Sequence, residues 1–177
     1  GLTAIGALGL EARALVLVDV TIANSREGAD RIRSFMRAYP NGFASPEEAA
    51  EAVAAYLPHR TKPRSTRGLM ANLRKMPDGR YHWHWDPRFL DHDRGRTPQG
   101  RERLVAAARN VRVPVLLVRG GRSELVDDRA VNDLLSWIPH AEVVEIPDAH
   151  HMVAGDDNDA FSDAVIAFLS RLDRSAG

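Results

Sequence analysis

Two adjacent histidines, His150 and His151, follow a short apolar run and precede an acidic turn. An imidazole in such a loop can act as a general base, as a metal ligand or simply as a polar surface group. Two carboxylates lie near the ends of other apolar runs in the same way. Asp19 ends one of these runs, and Glu124 follows the other. A carboxylate that accepts the Nδ1–H of a histidine fixes its tautomer and stabilises the imidazolium, so these residues suit a base with its orienting acid.

A metal site is the other chemistry open to the histidines. His82 and His84 alternate along a predicted strand, which puts two imidazoles on one face, as in some zinc sites. Three more residues of types that bind metals follow soon after in the sequence, namely Asp91, His92 and Asp93. The residues that alternate with the imidazoles are Tyr81, Trp83 and Trp85. Alternation of this kind is the ordinary pattern of an amphipathic strand, so we predict no metal and no cofactor.

Three apolar runs are predicted to be strands of one parallel sheet. They are 14–20 (ALVLVDV), 113–121 (VPVLLVRGG) and 141–149 (AEVVEIPDA). Helical spacing is found over 98–110, 127–137 and 158–172. Asn158 or Asp159 is the expected cap of the last helix. Strands that are apolar on both faces and alternate with helices predict an α/β fold, in which ligands bind at the carboxyl ends of the strands.

Residues 21–97 interrupt this alternation and are predicted to form a mostly helical insertion. Its predicted helices are 26–38, 46–57 and 64–75, and a turn at 77–79 leads into the short strand of Tyr81, Trp83 and Trp85. In the second helix Ser45, Pro46 and Glu48 have the spacing of a capping box. The domain prediction is therefore a core of 1–20 and 98–177, with 21–97 inserted between its two parts.

The composition is that of a globular protein without strong charge bias. The chain has 177 residues, a formal net charge of zero, 44% hydrophobic residues and no cysteine. Thiolate chemistry and disulfides are thus excluded, and the charge balance gives no reason to expect a nucleic-acid partner. No apolar stretch approaches the roughly 20 residues needed to span a bilayer, so we expect no membrane association and a cytoplasmic location.

The sequence resembles the C-terminal portion of the α/β-hydrolase superfamily. The resemblance is carried by VPVLLVRGGRSELV and by IPHAEVVEIPDAHHMVAGDDNDAFSDAVIAFL, and DGRYHWHWDPRF is similar to the end of a cap domain. The start, GLTAIGALG with ALVLVDV, looks like the helix and strand that follow the nucleophile elbow. This implies a parallel-sheet α/β-hydrolase core with a helical cap.

The resemblance also implies roles for single residues. His151 matches the catalytic base and Glu124 the acid, with Asp19 as the alternative acid, because some subfamilies place the acid after the preceding strand. His150 stands where the family usually has glycine. The residues expected to line an apolar substrate pocket are Trp83, Trp85, His150 and Met152.

The Gly-x-Ser-x-Gly motif of the nucleophile elbow is missing from the sequence. Gly1, Leu2 and Thr3 match residues just after it, so we expect a fragment whose nucleophile lies upstream, inactive alone and needing the N-terminal half of the fold as its partner. The implied function is hydrolysis of a small, largely apolar ester or lactone through a nucleophile–acid–His triad. Alternatives are an epoxide hydrolase or dehalogenase with an Asp nucleophile, and a non-catalytic ligand-binding protein.

Overall fold

A computed structural model describes residues 1–59, 65–91 and 97–175. In chain order the elements are α1 (Leu2–Gly6), β1 (Leu15–Val18), α2 (Arg26–Arg37), α3 (Pro46–Tyr56), α4 (Arg67–Met70), β2 (Leu73–Lys75), β3 (Tyr81–Trp83), a 3-10 helix (Pro87–Asp91), α5 (Pro98–Asn110), β4 (Val115–Gly120), α6 (Asp128–Trp137), β5 (Glu142–Ile146), α7 (Val153–Asp156) and α8 (Asn158–Ser175). They form two compact units. The first comprises Gly1–Ala29 with Asp93–Gly177, and the second comprises Asp30–His92.

The first unit is built on a parallel sheet with the strand order β1-β4-β5. The three strands lie within the three predicted apolar runs, and the central strand β4 is almost entirely buried. Leu116 and Val118 of β4 pack with Ile146 of β5 and Phe168 of α8 in the core. Burial of both faces explains why the strand has no polar alternation, and the α/β fold class is as predicted.

Side-chain caps fix where the helices around this sheet begin. Asp127 accepts a hydrogen bond from the Ala130 amide at the start of α6, at 2.8 Å. Asp157 accepts one from the Ala160 amide at the start of α8, at 3.0 Å. Asp157 therefore occupies the capping position that was predicted for Asn158 or Asp159, because α8 already begins at Asn158.

The second unit contains α3, α4 and the antiparallel hairpin β2–β3 around an aromatic cluster. The predicted helix 64–75 is wrong over most of its described length, since only Arg67–Met70 is helical and Leu73–Lys75 is a strand. Leu73 is buried in the aromatic cluster and pairs with Trp83, and the hairpin turns at Gly79, where φ is +85°. Tertiary pairing overrides the local helical pattern here.

The boundaries of the second unit differ from the predicted insertion. We expected 21–97, whereas the compact unit runs from Asp30 to His92 and its first boundary falls inside α2. Whether this unit serves as a cap stays a prediction. Within the described parts of the chain, no helix combines the length and apolar character needed to cross a membrane.

Candidate active site

Asp19 lies directly after β1 and is completely buried. Its backbone amide donates to the Val118 carbonyl at 2.7 Å, which holds it against β4. Its φ is +46°, and among the described residues it is the only one other than glycine with a positive φ. A side chain in the left-handed region costs about 1 kcal/mol, less for aspartate than for most residues. The backbone therefore bears a local cost at the position that carries the buried carboxylate.

His151 lies on the loop after β5 and meets that carboxylate. Its Nδ1 is 2.8 Å from Oδ2 of Asp19, and its side chain is 30% exposed. An ionised carboxylate only accepts hydrogen bonds, so Nδ1 carries the proton and donates it. In the neutral imidazole the other ring nitrogen, Nε2, is then unprotonated and can take up a proton. Two residues separated by 132 positions are thus joined by one hydrogen bond.

Two further donors hold the Asp19 carboxylate. The backbone amide of Gly120 donates to Oδ1 at 3.0 Å, and the Ser123 hydroxyl donates to Oδ2 at 2.6 Å. The same Ser123 oxygen accepts from the amides of Leu125 and Val126, at 3.0 and 3.1 Å. Ser123 was not among the site residues predicted from the sequence. Its position at the carboxyl end of β4 was the available signal, because that is the edge where Asp19 also lies.

Gly120 allows the loops after β4 and β5 to approach closely. A Cβ at this position would lie 2.4 Å from the Ala149 carbonyl oxygen and 2.5 Å from that of His150. These are backbone atoms and cannot turn aside, so a larger residue would push the His151 loop away from Asp19. Glycine here is required by space, whereas its φ is not in the left-handed region.

The structure therefore brings His151 together with Asp19, the alternative acid, and not with Glu124. The Nδ1 hydrogen bond that Glu124 was expected to accept goes to Asp19. Glu124 lies in the loop after β4 with its Oε2 buried and without a hydrogen-bond partner among the described residues. Both carboxylates follow sheet strands, but only the one after β1 has the direction that reaches the imidazole.

The other predicted site residues fall into both units. His150 belongs to the first unit, is half-buried, and donates its backbone amide to Oδ2 of Asp156 at 2.9 Å. Its place in the usual glycine position requires no positive φ. Met152 precedes α7 and is 51% exposed. Trp83 and Trp85 lie in the second unit, where Trp83 packs edge-on against Phe43 at 5.2 Å. Their role in a substrate pocket stays a prediction.

No group of three metal-binding side chains was found among the residues that the structure describes. His84 Nε2 instead accepts a hydrogen bond from the Arg74 guanidinium at 3.0 Å. His92 and Asp93, which the sequence placed among the metal-ligand candidates, lie outside the described residues.

The bond from Asp19 raises the pKa of His151, and burial of the ring opposes this effect. The negative charges of Asp19, Glu124 and Asp156 raise the pKa further. Because the folded state favours the imidazolium, the pair stabilises folding fully below the ordinary histidine pKa, and this stabilisation is lost as the pH rises through the raised value.

We expect Asp19→Asn to lower the pKa of His151, because the substitution removes the largest cause of its rise. NMR titration of the His151 ring signal, assigned by its loss in His151→Gln, measures the midpoint. Asp148→Asn is the matched control, since Asp148 is exposed and pairs with Arg122. An unchanged midpoint in Asp19→Asn would contradict the pairing.

Comparison with known proteins gives matches among solved structures alone: neither a family model nor a curated protein sequence matches the chain. E-2-(acetamidomethylene)succinate hydrolase is 23% identical, with 96% of this chain and 62% of that one covered at a TM-score of 0.75. An esterase of Mycobacterium tuberculosis is 27% identical, with 96% and 59% covered at a TM-score of 0.71. An α/β hydrolase of Novosphingobium aromaticivorans is 24% identical, with 96% and 61% covered at 0.71.

The chain spans about three fifths of the length of these structures. The part that it matches contains the parallel sheet that positions Asp19, Ser123 and His151. This chain therefore has the fold of the C-terminal portion of an α/β hydrolase.

Proposed function

We propose that this chain supplies the general base and its orienting acid to a hydrolase that acts through a nucleophile–acid–His triad. The observation that carries the proposal is the 2.8 Å contact between His151 Nδ1 and the fully buried Asp19 carboxylate. A buried carboxylate that accepts from an imidazole, a hydroxyl and an amide at one sheet edge is an arrangement that orients a base. A buried charge costs free energy, so a carboxylate at this place is not explained by packing of the core alone.

Asp19 is the orienting acid in this proposal, and Glu124 is not. Hydrogen bonds from His151, Ser123 and Gly120 leave the Asp19 carboxylate little freedom to rotate. The imidazole is held in turn with its Nε2 unprotonated. A base that is oriented before the substrate arrives loses less entropy in the transition state.

The nucleophile comes from another segment of the protein in this proposal. Among the described residues of the first unit, β1 pairs with β4 alone, so its other edge is available to a further strand of the same sheet. A nucleophile on a turn beside β1 would lie at the carboxyl edge that carries Asp19 and His151. The N-terminal half of the fold is thus the partner that we propose for this chain.

Proton transfer follows from the state of His151. Nε2 takes the proton of the nucleophile's hydroxyl as that oxygen attacks the substrate carbonyl, and Asp19 stabilises the imidazolium. The imidazolium then gives the proton to the leaving oxygen, and the acyl group remains on the nucleophile. Water, deprotonated by the same Nε2, then attacks the acyl carbon, and the bond to the nucleophile's oxygen breaks as that oxygen takes the proton from the imidazolium, so that the acid is released. Each proton taken up by His151 is returned within the cycle.

A small, largely apolar ester or lactone is the substrate class that we propose. Of the similar structures, one is named for hydrolysis of E-2-(acetamidomethylene)succinate and another is an esterase. Both names support hydrolysis as the reaction, and the second supports an ester as the substrate.

The full-length protein that contains this sequence should hydrolyse p-nitrophenyl butyrate and react covalently with a fluorophosphonate at a serine. The 177-residue chain alone is the control and should do neither, since the proposed nucleophile is absent from its sequence. Turnover of an epoxide or haloalkane without fluorophosphonate labelling would instead indicate an Asp nucleophile. If the full-length protein turned over none of these compounds, a ligand-binding role would replace the hydrolase.

A further inference from the structure

The Ser123 hydroxyl has all of its hydrogen-bonding groups in use. Its oxygen accepts from the amides of Leu125 and Val126, at 3.0 and 3.1 Å. A serine oxygen has two lone pairs and one hydrogen, so both acceptor positions are filled and only the hydrogen remains to be donated. That hydrogen goes to Oδ2 of Asp19, at 2.6 Å. The backbone therefore fixes the direction in which Ser123 donates.

The backbone that supplies these two amides is itself anchored. Leu125 and Val126 are buried, and the Leu125 carbonyl accepts from the Ser25 amide at 2.8 Å. Gly28 of α2 packs so closely that a Cβ there would lie 2.1 Å from the Glu124 carbonyl oxygen. The hydroxyl thus reaches the carboxylate from a fixed support.

Oδ2 of Asp19 accepts from two side chains at once. The Ser123 oxygen lies 2.6 Å from it and Nδ1 of His151 lies 2.8 Å from it, whereas Oδ1 accepts from the Gly120 amide at 3.0 Å. A separation of 2.6 Å is in the range of O–H bonds to an ionised oxygen, which are about twice as strong as bonds between neutral groups. The hydroxyl and the imidazole therefore share the negative charge of one oxygen.

We propose that Ser123 is a positioning residue of the triad: its hydroxyl holds Oδ2 of Asp19 toward His151 and takes up part of the negative charge that the imidazolium would otherwise face alone. The inference deepens the proposed function and rests on it for the effect on turnover. The effect on the imidazole can be measured without any turnover.

Sharing of the charge keeps the base available. An acid that held the imidazolium more strongly would leave His151 protonated at a higher pH, where a general base has to be unprotonated. A carboxylate oxygen that already accepts from a hydroxyl attracts the Nδ1 proton less. The other negative charges that act on the ring are Glu124, in the loop after β4, and Asp156 of α7. A substitution of Ser123 leaves both in place, so a change in the His151 pKa reports on Asp19.

NMR titration of the His151 ring in the full-length protein tests the sharing of charge. Ser123→Ala should raise the pKa of His151, because Asp19 then directs more of its charge to the imidazolium. This direction is opposite to that expected for Asp19→Asn. If Ser123 served only to pack the loop, its loss would let the carboxylate and the ring separate, and the pKa of His151 would fall.

Hydrolysis of p-nitrophenyl butyrate by the full-length protein tests the positioning. In Ser123→Ala the acid limb of kcat/KM against pH should move to higher pH, and kcat on the plateau should fall about 10-fold with little change in KM. Ser123→Thr keeps a hydroxyl and should restore most of the loss.

Ser25→Ala is the matched control, since the Ser25 hydroxyl also accepts from a backbone amide, that of Gly28 at 3.2 Å. It should leave the midpoint of His151 unchanged and kcat within about twofold of the unsubstituted protein. Equal melting temperatures of the variants show that the fold is intact.

Two results for Ser123→Ala would overturn the inference: a midpoint of His151 that is unchanged, or one that is lowered as in Asp19→Asn. A kcat that stays within about twofold would remove the role in positioning, since such a change is below one hydrogen bond. Failure of the proposed function gives a different result. The unsubstituted protein would then hydrolyse no ester, and a raised midpoint in Ser123→Ala would still support the action of Ser123 on the pair.

Discussion

Asp19→Asn should lower kcat for ester hydrolysis by the full-length protein about 10⁴-fold, with a much smaller change in KM. The asparagine amide would present N–H groups to Nδ1 of His151, so the ring proton would move to Nε2. The nitrogen that has to accept the nucleophile's proton would then already carry one.

This substitution changes the fold little, which makes the loss interpretable. Asparagine tolerates the left-handed φ of +46° as well as aspartate does. Its Oδ1 can still accept from the Gly120 amide, whereas the Ser123 hydroxyl, whose oxygen already accepts from two amides, loses the carboxylate oxygen to which it donates. The melting temperature is the check that the protein remains folded.

Glu124→Gln is the matched comparison for the acid. If Asp19 orients His151, the Glu124 variant should lose far less kcat than the Asp19 variant on the same plain ester. The reverse order of losses would restore Glu124 as the acid and remove Asp19 from the triad.

The sheet could be predicted from the sequence because its strands are buried on both faces. Leu116, Leu117 and Val118 are fully buried in β4. An uninterrupted apolar run is typical of a strand that is covered on both faces. The helices 98–110 and 127–137 were also predicted, and they run from Pro98 to Asn110 and from Asp128 to Trp137. Apolar runs and helical spacing are local patterns, so a single sequence contains them.

The segment around Leu73 could not be predicted in the same way. Its spacing suits a helix, yet Leu73 pairs with Trp83 and fills the aromatic cluster of the second unit. A three-residue strand carries too little periodicity to compete with a helical pattern, and its partner is ten positions away. Such a pairing is decided by tertiary packing.

The pairing of His151 with Asp19 rather than with Glu124 could not be predicted from the sequence. The sequence placed both Asp19 and Glu124 after sheet strands, with a resemblance that favoured Glu124. Asp19 has a positive φ, and its carboxylate accepts hydrogen bonds from the His151 ring and the Ser123 hydroxyl. Neither the angle nor the side-chain direction is visible in residue types. A buried aspartate at a strand end is therefore worth testing wherever a serine stands opposite it.

His151→Ala should lower kcat by about 10³- to 10⁶-fold, because the nucleophile then has no group to take its proton and the leaving oxygen has no donor. KM should change much less, since the imidazole acts mainly in the transition state. The loss should be nearly the same in His151→Ala with Asp19→Asn as in His151→Ala alone, because the acid acts only through the base.

His150→Ala is the control in the adjacent position. Its backbone amide, which donates to Asp156, is retained, so the loop keeps its anchor and kcat should fall far less. Added imidazole should restore part of the activity of His151→Ala if the missing group is a base, because a free imidazole can enter the space of the lost ring. A purely structural role would give no rescue, and equal losses in the two histidine variants would show that the loop is needed only for packing.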